Sequence, residues 1–312
     1  MKILPLSFDT AQENLAFEEW YFQNFEEETL RIWRSPKSVV VGKHQNALAE
    51  VNLAYCLENN VPVLRRISGG GTVYHDLGNF NFSFFRFVAK EKMIDYVTNL
   101  DLIKASLNSL GYNIHMSDRH DLFSGEFKIS GNAQHIKKGR ALHHGTILYN
   151  ADLKALSNGI KRTEGIFQDK SVKSVRSPTI NLQELTDLGS TLDFQHSLLE
   201  SLTKSGLAEM KGLPFDIDVI QELAKSKYDS ENWNFGYSPS YSFEKKSSLF
   251  QVQLSVERGG NILSAQVLKN KQPNKELSDW LIDKKHHYLD LSEQLKNSVL
   301  DINPAQLLAA LF

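Results

Sequence analysis

Two arginines, three consecutive glycines and a histidine–aspartate pair stand together in Arg65-Arg66-Ile67-Ser68-Gly69-Gly70-Gly71-Thr72-Val73-Tyr74-His75-Asp76. Glycine has no Cβ, so three in a row let backbone amides come close to a phosphate or carboxylate. Guanidinium suits such a loop because its planar fork matches paired oxygens. Neighbouring strand residues point to opposite faces, so one arginine is expected to meet a ligand while the other pairs elsewhere. The loop has neither the Gly-Lys-Ser/Thr of a Walker A sequence nor G-x-G-x-x-G spacing. Taken alone, a tight bend explains the glycines equally well.

A second group lies at Lys128-Ile129-Ser130-Gly131-Asn132-Ala133-Gln134, followed by Arg140-Ala141-Leu142-His143-His144-Gly145-Thr146-Ile147-Leu148. A strand lysine among small residues can reach a buried anion as a point charge, although a solvated edge-strand lysine is the commoner case. His143 and His144 invite a metal reading, but adjacent strand side chains diverge and no carboxylate or thiol set accompanies them. Cys56, the single cysteine, excludes a disulfide framework and is the only thiol able to carry a thioester. Its place in an expected helix over 51–59 suits a small buried hydrophobe better.

The elements that must hold these residues follow from periodicity. Thr10 and Glu13 have capping-box spacing and mark a helix start. Strands are expected at 30–33, 38–41 and 61–66, the last ending at the glycine loop, and at 79–87, where aromatic residues alternate. Met93, Tyr96, Val97, Leu100, Ile103, Leu107 and Leu110 predict a helix stopped by Gly111. Strand character returns over 127–150, with a turn at Lys137-Lys138-Gly139, and helical character over 182–226. After a break at 233–239, residues 249–256 read as an edge strand, Gly259-Gly260-Asn261 as a hairpin turn into 262–267, and two helical segments as the end. Strands and helices mix without strict alternation, which indicates an α+β class. A boundary is expected near 243, giving a catalytic domain over 1–242 and a small α+β domain over 243–312.

At 312 residues, with 41% hydrophobic and 23% charged side chains, the chain can bury a substantial core. Its 35 basic and 37 acidic residues leave a net charge of -2, which supplies no global basic field for nucleic acid. The N-terminal apolar run is too short for a signal peptide, and no apolar stretch approaches the ~18–20 residues that cross a bilayer. A cytoplasmic protein without a nucleic-acid or membrane partner is expected.

Taken in order, Arg-Arg-x-Ser-Gly-Gly-Gly-x-Val-Tyr-His-Asp-x-Gly-Asn, Lys-Ile-Ser-Gly-x-Ala-Gln and His-His-Gly-Thr-Ile-Leu closely resemble the lipoate–protein ligase family. Ser174-Val175-Arg176-Ser177-Pro178 and Trp233-Asn234-Phe235-Gly236 are also similar to family segments. The resemblance covers nearly the whole chain, including the C-terminal accessory domain of full-length bacterial members. It implies the biotinyl/lipoyl ligase fold, a mixed sheet flanked by helices that holds an acyl-adenylate. It also implies that Arg66 contacts the nucleotide, that the loop of Gly69, Gly70, Gly71, Thr72, Val73 and Tyr74 contacts ATP or the adenylate, and that Lys128 touches both the lipoyl carbonyl and the phosphate. One departure is Arg119-His120-Asp121, where the family often has Arg-Asn-Asp, and it bears on a local turn or a nucleotide contact.

The activity so implied is ATP-dependent activation of lipoate, with Mg²⁺ accompanying ATP, and transfer from lipoyl-AMP to a lysine of a lipoyl-domain protein. Such acceptors are the acyltransferase subunits of 2-oxoacid dehydrogenases and the glycine-cleavage H protein. The C-terminal domain is implied to move between the half-reactions, with 235–246 as the expected hinge. Three rivals are a lipoyl or octanoyl transferase that uses a cysteine thioester, a transferase that accepts only preformed lipoyl-AMP, and a catalytically idle binding module. A biotin ligase differs in its arginine–glycine loop.

Overall fold

The computed structural model describes residues 1–88, 96–160, 165–210, 212 and 215–312. Its centre is a six-stranded mixed sheet in the order Asn132–Lys137, Arg140–Leu148, Asn79–Phe87, Thr29–Arg34, Lys2–Pro5, Ala208–Glu209. Asn79–Phe87 runs antiparallel to both neighbours, whereas Lys2–Pro5 runs parallel to Thr29–Arg34 and to Ala208–Glu209.

The two-residue period of these strands separates the faces. Phe80, Phe82 and Phe84 join Leu30, Ile32, Ile103, Leu107, Phe194 and Leu198 in a core beneath the helices Tyr96–Ser109 and Thr191–Lys204. Phe85 and Trp33 face the other way and pack with Phe17, Tyr21 and Phe22 of the helix Ala11–Asn24. Thr10 caps that helix, its Oγ1 accepting the Glu13 amide at 3.1 Å. Of the helix expected over 93–110, Tyr96–Ser109 is observed, and its expected start at Met93 lies outside the described residues.

A three-stranded sheet carries the glycine loop. Ser38–Val41 lies between Val63–Arg65, parallel to it, and Val73–His75, antiparallel to it. A second small sheet of Ile114–Met116, Leu122–Ser124 and Phe127–Ser130 presents Lys128. The hairpin from Asn132–Lys137 into Arg140–Leu148 turns at Lys138 and Gly139, both with positive φ, as the polar turn residues anticipate.

The C-terminal sheet has the order Ile166–Asp169, Tyr241–Lys246, Phe250–Val256, Ile262–Lys269, Gln272–Pro273. Phe250–Val256 is therefore an interior strand and not the edge its alternation suggested. Its Phe250, Val252, Leu254 and Val256 are buried on one face, and its alternation marks a one-sided sheet. Residue 243 falls within Tyr241–Lys246, which pairs on one side with a strand from residues 166–169. Three helices rather than two close the chain: Lys275–Leu281, Tyr288–Lys296 and Pro304–Leu311. The apolar core under this sheet runs without interruption into Val39, Val41, Val63 and Tyr74 of the three-stranded sheet and Leu48 of the short helix Ala47–Glu50. Among the described residues, no helix is long and apolar enough to cross a membrane.

Candidate active site

Arg65 and Arg66 part as strand alternation requires. Arg65 turns away from the glycine loop and donates to the carbonyls of Trp233 and Asn234 and to Ser238 Oγ. Arg66 lies on the loop side. Its Nη2 donates to the carbonyls of Gly69 at 2.5 Å and Gly71 at 2.7 Å, its Nη1 to Val40 O at 3.1 Å and its Nε to Ser68 Oγ at 3.0 Å. One guanidinium thus folds the loop around itself. Burial lowers the Arg66 pKa to about 10, partly offset by Glu18, and leaves the group charged at neutral pH.

Two glycines explain how closely the loop packs. Gly70 has φ +82, a left-handed backbone that a side chain would strain. A Cβ on Gly42 would stand 2.1 Å from Gly70 O, so the loop rests directly on the backbone that follows Ser38–Val41.

Arg66, Gly70, Gly71, Thr72, Val73 and Lys128 line one cavity of about 250 Å³. Leu15, Trp33 and Val40 supply apolar wall, and His75, Asn81, Asp121 and His144 polar wall. A second cavity of about 280 Å³ shares Thr72, Val73, Lys128, Gly131, Thr146, Ser174 and Val175 with the first. It continues past Tyr74, Leu148, Leu153, Leu156 and Ile160. Of the residues expected from the sequence, Gly69 borders neither cavity and contributes its carbonyl to Arg66 instead.

Lys128 Nζ lies 2.9 Å from Asp121 Oδ2, and both line the first cavity. A Cβ on Gly131 would approach Nζ to 3.1 Å, so the missing side chain there keeps room for the ammonium. His120, beside Asp121, has φ +60. Histidine, like asparagine, enters this left-handed region more readily than most residues. Its carbonyl accepts from Asn132 Nδ2, and its ring stacks on Tyr96 at 5.1 Å.

Several site residues were missed in the sequence. Glu18, fully buried on the helix Ala11–Asn24, places both carboxylate oxygens 2.9 Å from His144 Nδ1, while His144 Nε2 lies 2.6 Å from Ser68 Oγ. Ser83 and Trp33 extend this chain behind Glu18. Burial pushes the Glu18 carboxyl up, but His144, Ser83 and Arg31 together outweigh it and hold the group below the ordinary carboxylate value. The network orients His144 on the cavity wall and fixes the hydroxyl that receives Arg66 Nε. His143 points to the opposite face, against Asn99 and Asn132, so the two adjacent histidines do not converge on a metal. No local pattern in the sequence could have found Glu18, because its partner is 126 residues away.

Cys56 is buried outside both site cavities, and burial raises its thiol to about 12. A buried, protonated sulfur away from both site cavities is unsuited to carrying an acyl group there.

Residues 10–203 match the family described as the lipoyl protein ligase A/B catalytic domain. Lipoate–protein ligase 1 of Staphylococcus aureus is 36% identical over 254 residues, 79% of this chain and 77% of that relative. The solved structure of a lipoate-protein ligase A bound with ATP is similar at TM-score 0.63 and 27% identity, covering 76% of this chain and 98% of the other. A bipartite lipoate protein ligase from Thermoplasma acidophilum, described with its E2 lipoyl domain, gives 0.64 at 28% identity over 76% of this chain and 96% of that one. A family match over more than half the chain, joined to a relative above 30% identity, means that this chain belongs to the lipoyl protein ligase A/B family.

Proposed function

We propose that this chain activates lipoate with ATP as lipoyl-AMP and transfers the lipoyl group to a lysine of a lipoyl-domain protein. The observation that carries this reading is that Arg66, the glycine loop and Lys128 share one cavity, and that a second cavity has Lys128 on its wall as well. Taken as two lobes that meet along their shared wall at Lys128, the neck, these cavities suit an acyl–nucleotide mixed anhydride. The acyl chain takes the lobe walled by Leu15, Trp33 and Val40. The phosphate lies where the lobes meet, against Lys128 and the Arg66–glycine-loop side of the first lobe, and the nucleoside takes the lobe at Tyr74, Leu148, Leu153 and Ile160.

In the first step a lipoate carboxylate oxygen attacks the α-phosphorus of ATP, and the bond to pyrophosphate breaks. Both reactants are anions, so cationic groups must already be in position to lower their repulsion. Arg66 is fixed by its loop, and Lys128 exchanges Asp121 for the incoming oxygens. Mg²⁺ enters with ATP as part of the substrate; among the described wall residues, Asp121 is the carboxylate that fits it.

In the second step the acceptor amine attacks the lipoyl carbonyl, AMP leaves, and Lys128 stabilises the developing oxyanion. Lys128 is the proposed catalytic residue. Arg66, Gly70, Gly71, Thr72, Val73 and Tyr74 are the proposed nucleotide contacts, with Gly69 acting through Arg66. Residues 1–242 are taken as the catalytic part and 243–312 as the accessory part. The acceptors are acyltransferase subunits of 2-oxoacid dehydrogenases and the glycine-cleavage H protein, met in the cytoplasm.

Pyrophosphate release from ATP, dependent on free lipoate, tests the activation step. Lipoyl transfer from preformed lipoyl-AMP without any such release would instead establish the transferase reading.

A further inference from the structure

Gln45 is fully buried and lines neither lobe of the cavity, yet its side-chain amide touches both loops that border the neck. Its Oε1 accepts from Gly42 N at 2.8 Å and from Thr72 Oγ1 at 2.9 Å. Its Nε2 donates to Ser174 Oγ at 3.0 Å and to Val172 O at 3.3 Å. Ser174 Oγ in turn accepts from Thr72 N at 2.9 Å, closing a triangle between the glycine loop and the 172–174 segment. Two acceptor sites and two donor hydrogens are all in use, so the amide fits this place in one orientation.

The backbone of the same residue is held from the other side. Gln45 O accepts from Arg65 Nη1 at 2.8 Å, which also reaches Gly42 O and Lys43 O. The rest of the Arg65 guanidinium grips Trp233 O, Asn234 O and Ser238 Oγ at 2.7–3.1 Å. Asn234 Oδ1 accepts from Arg65 N, and Trp233 Nε1 donates to Arg65 O. Residues 233–238 lie outside the stretch 10–203 that matches the catalytic family and lead directly into the C-terminal strand Tyr241–Lys246.

We propose that Gln45 is a positioning residue for the adenylating site, and that through Arg65 it ties both neck loops to residues 233–238. The segment entering the C-terminal region thereby helps set the shape of the pocket, although it contacts neither lobe. This inference rests on the ATP-dependent reading above. Buried hydrogen bonds of this kind select one loop arrangement among several, and a ligand that needs that arrangement loses apparent affinity in proportion to the fraction no longer competent. Saturating ligand restores the competent state, so the deficit belongs in KM and not in kcat.

The test uses the full chain, with pyrophosphate release followed as ATP and lipoate are varied separately, and with calorimetric titration of each ligand. For Gln45→Leu we expect KM for both substrates to rise about tenfold while kcat changes by less than about threefold, corresponding to a competent fraction of about one in ten. Gln45→Glu keeps the acceptor toward Gly42 and Thr72, and should recover part of that loss. Ser238→Ala removes one tie of Arg65 at a distance from the pocket and should raise both KM values about threefold, by the same relation. If Gln45→Leu does not melt cooperatively, the other two variants decide. Unchanged KM values, or a fall in kcat at unchanged KM, would overturn the proposal. Absence of lipoate-dependent release by the wild-type protein would instead count against the ATP-dependent reading; the titrations would then decide the positioning role, with unchanged dissociation constants rejecting it.

Discussion

Lys128 meets Asp121 on the wall of the cavity, with its ammonium group partly open to solvent. Because the pair is not deeply buried, removing it should cost little stability, ~0–1 kcal/mol, whereas losing a donor to a developing oxyanion costs about 10²–10³ in rate. Lys128→Ala is therefore expected to melt near the wild-type temperature and to lose lipoate-dependent pyrophosphate release by that factor. Cys56→Ser should leave release unchanged in the same assay, since the sulfur borders neither lobe. Part of this site is legible in the sequence: a strand places successive side chains on opposite faces, and alternation alone separates Arg66 from Arg65. Glu18 and Gln45 were not legible as site residues, whereas Asp121 lies in a segment that the resemblance marks. Glu18 and Gln45 each act through a partner brought close only by the fold, and an isolated acid or amide carries no periodic signal.

At the scale of elements, the glycine loop sits on the backbone at Gly42 as one packed layer on another. Gly42→Ala puts a methyl group against the Gly70 carbonyl, a backbone atom that cannot rotate aside. The loop must then shift, and we expect destabilisation of about 1–3 kcal/mol in urea denaturation together with a raised KM for ATP. Strand alternation gave Asn79–Phe87 and the hairpin through Lys138 and Gly139 directly, because period and turn chemistry are local properties. The position of Phe250–Val256 within its sheet was misread for the opposite reason. Alternation reports whether one face is buried, and says nothing about how many strands flank the edges. The strand Ile166–Asp169 lies more than seventy residues before its partner Tyr241–Lys246, and no short-range pattern announces that pairing.

At the scale of the whole molecule, His75, His143 and His286 are among the histidines that burial holds neutral. Burial lowers His75 and His143 to about 3 and His286 to about 4, against an ordinary value of 6.5. The unfolded chain takes up protons on these rings as the pH falls below about 6.5, while the folded chain keeps them neutral down to about 3–4. Their contribution to stability is complete above the unfolded value and is lost as the pH drops. Moving from pH 7.5 to 5.5 should lower the unfolding free energy by on the order of 1 kcal/mol per histidine, measured as a shift in the urea midpoint. Glu18 acts in the same direction only further into acid, below the ordinary carboxylate value of 4.5. These losses concern the fold. The proposed chemistry requires both lobes and Lys128 between them, and its most direct test is the mass of an acceptor. A lipoyl domain incubated with this protein, ATP, Mg²⁺ and lipoate should gain one lipoyl group on a single lysine, and none when ATP is left out. A domain that stays unmodified with all components present, or is modified equally without ATP, would contradict the account.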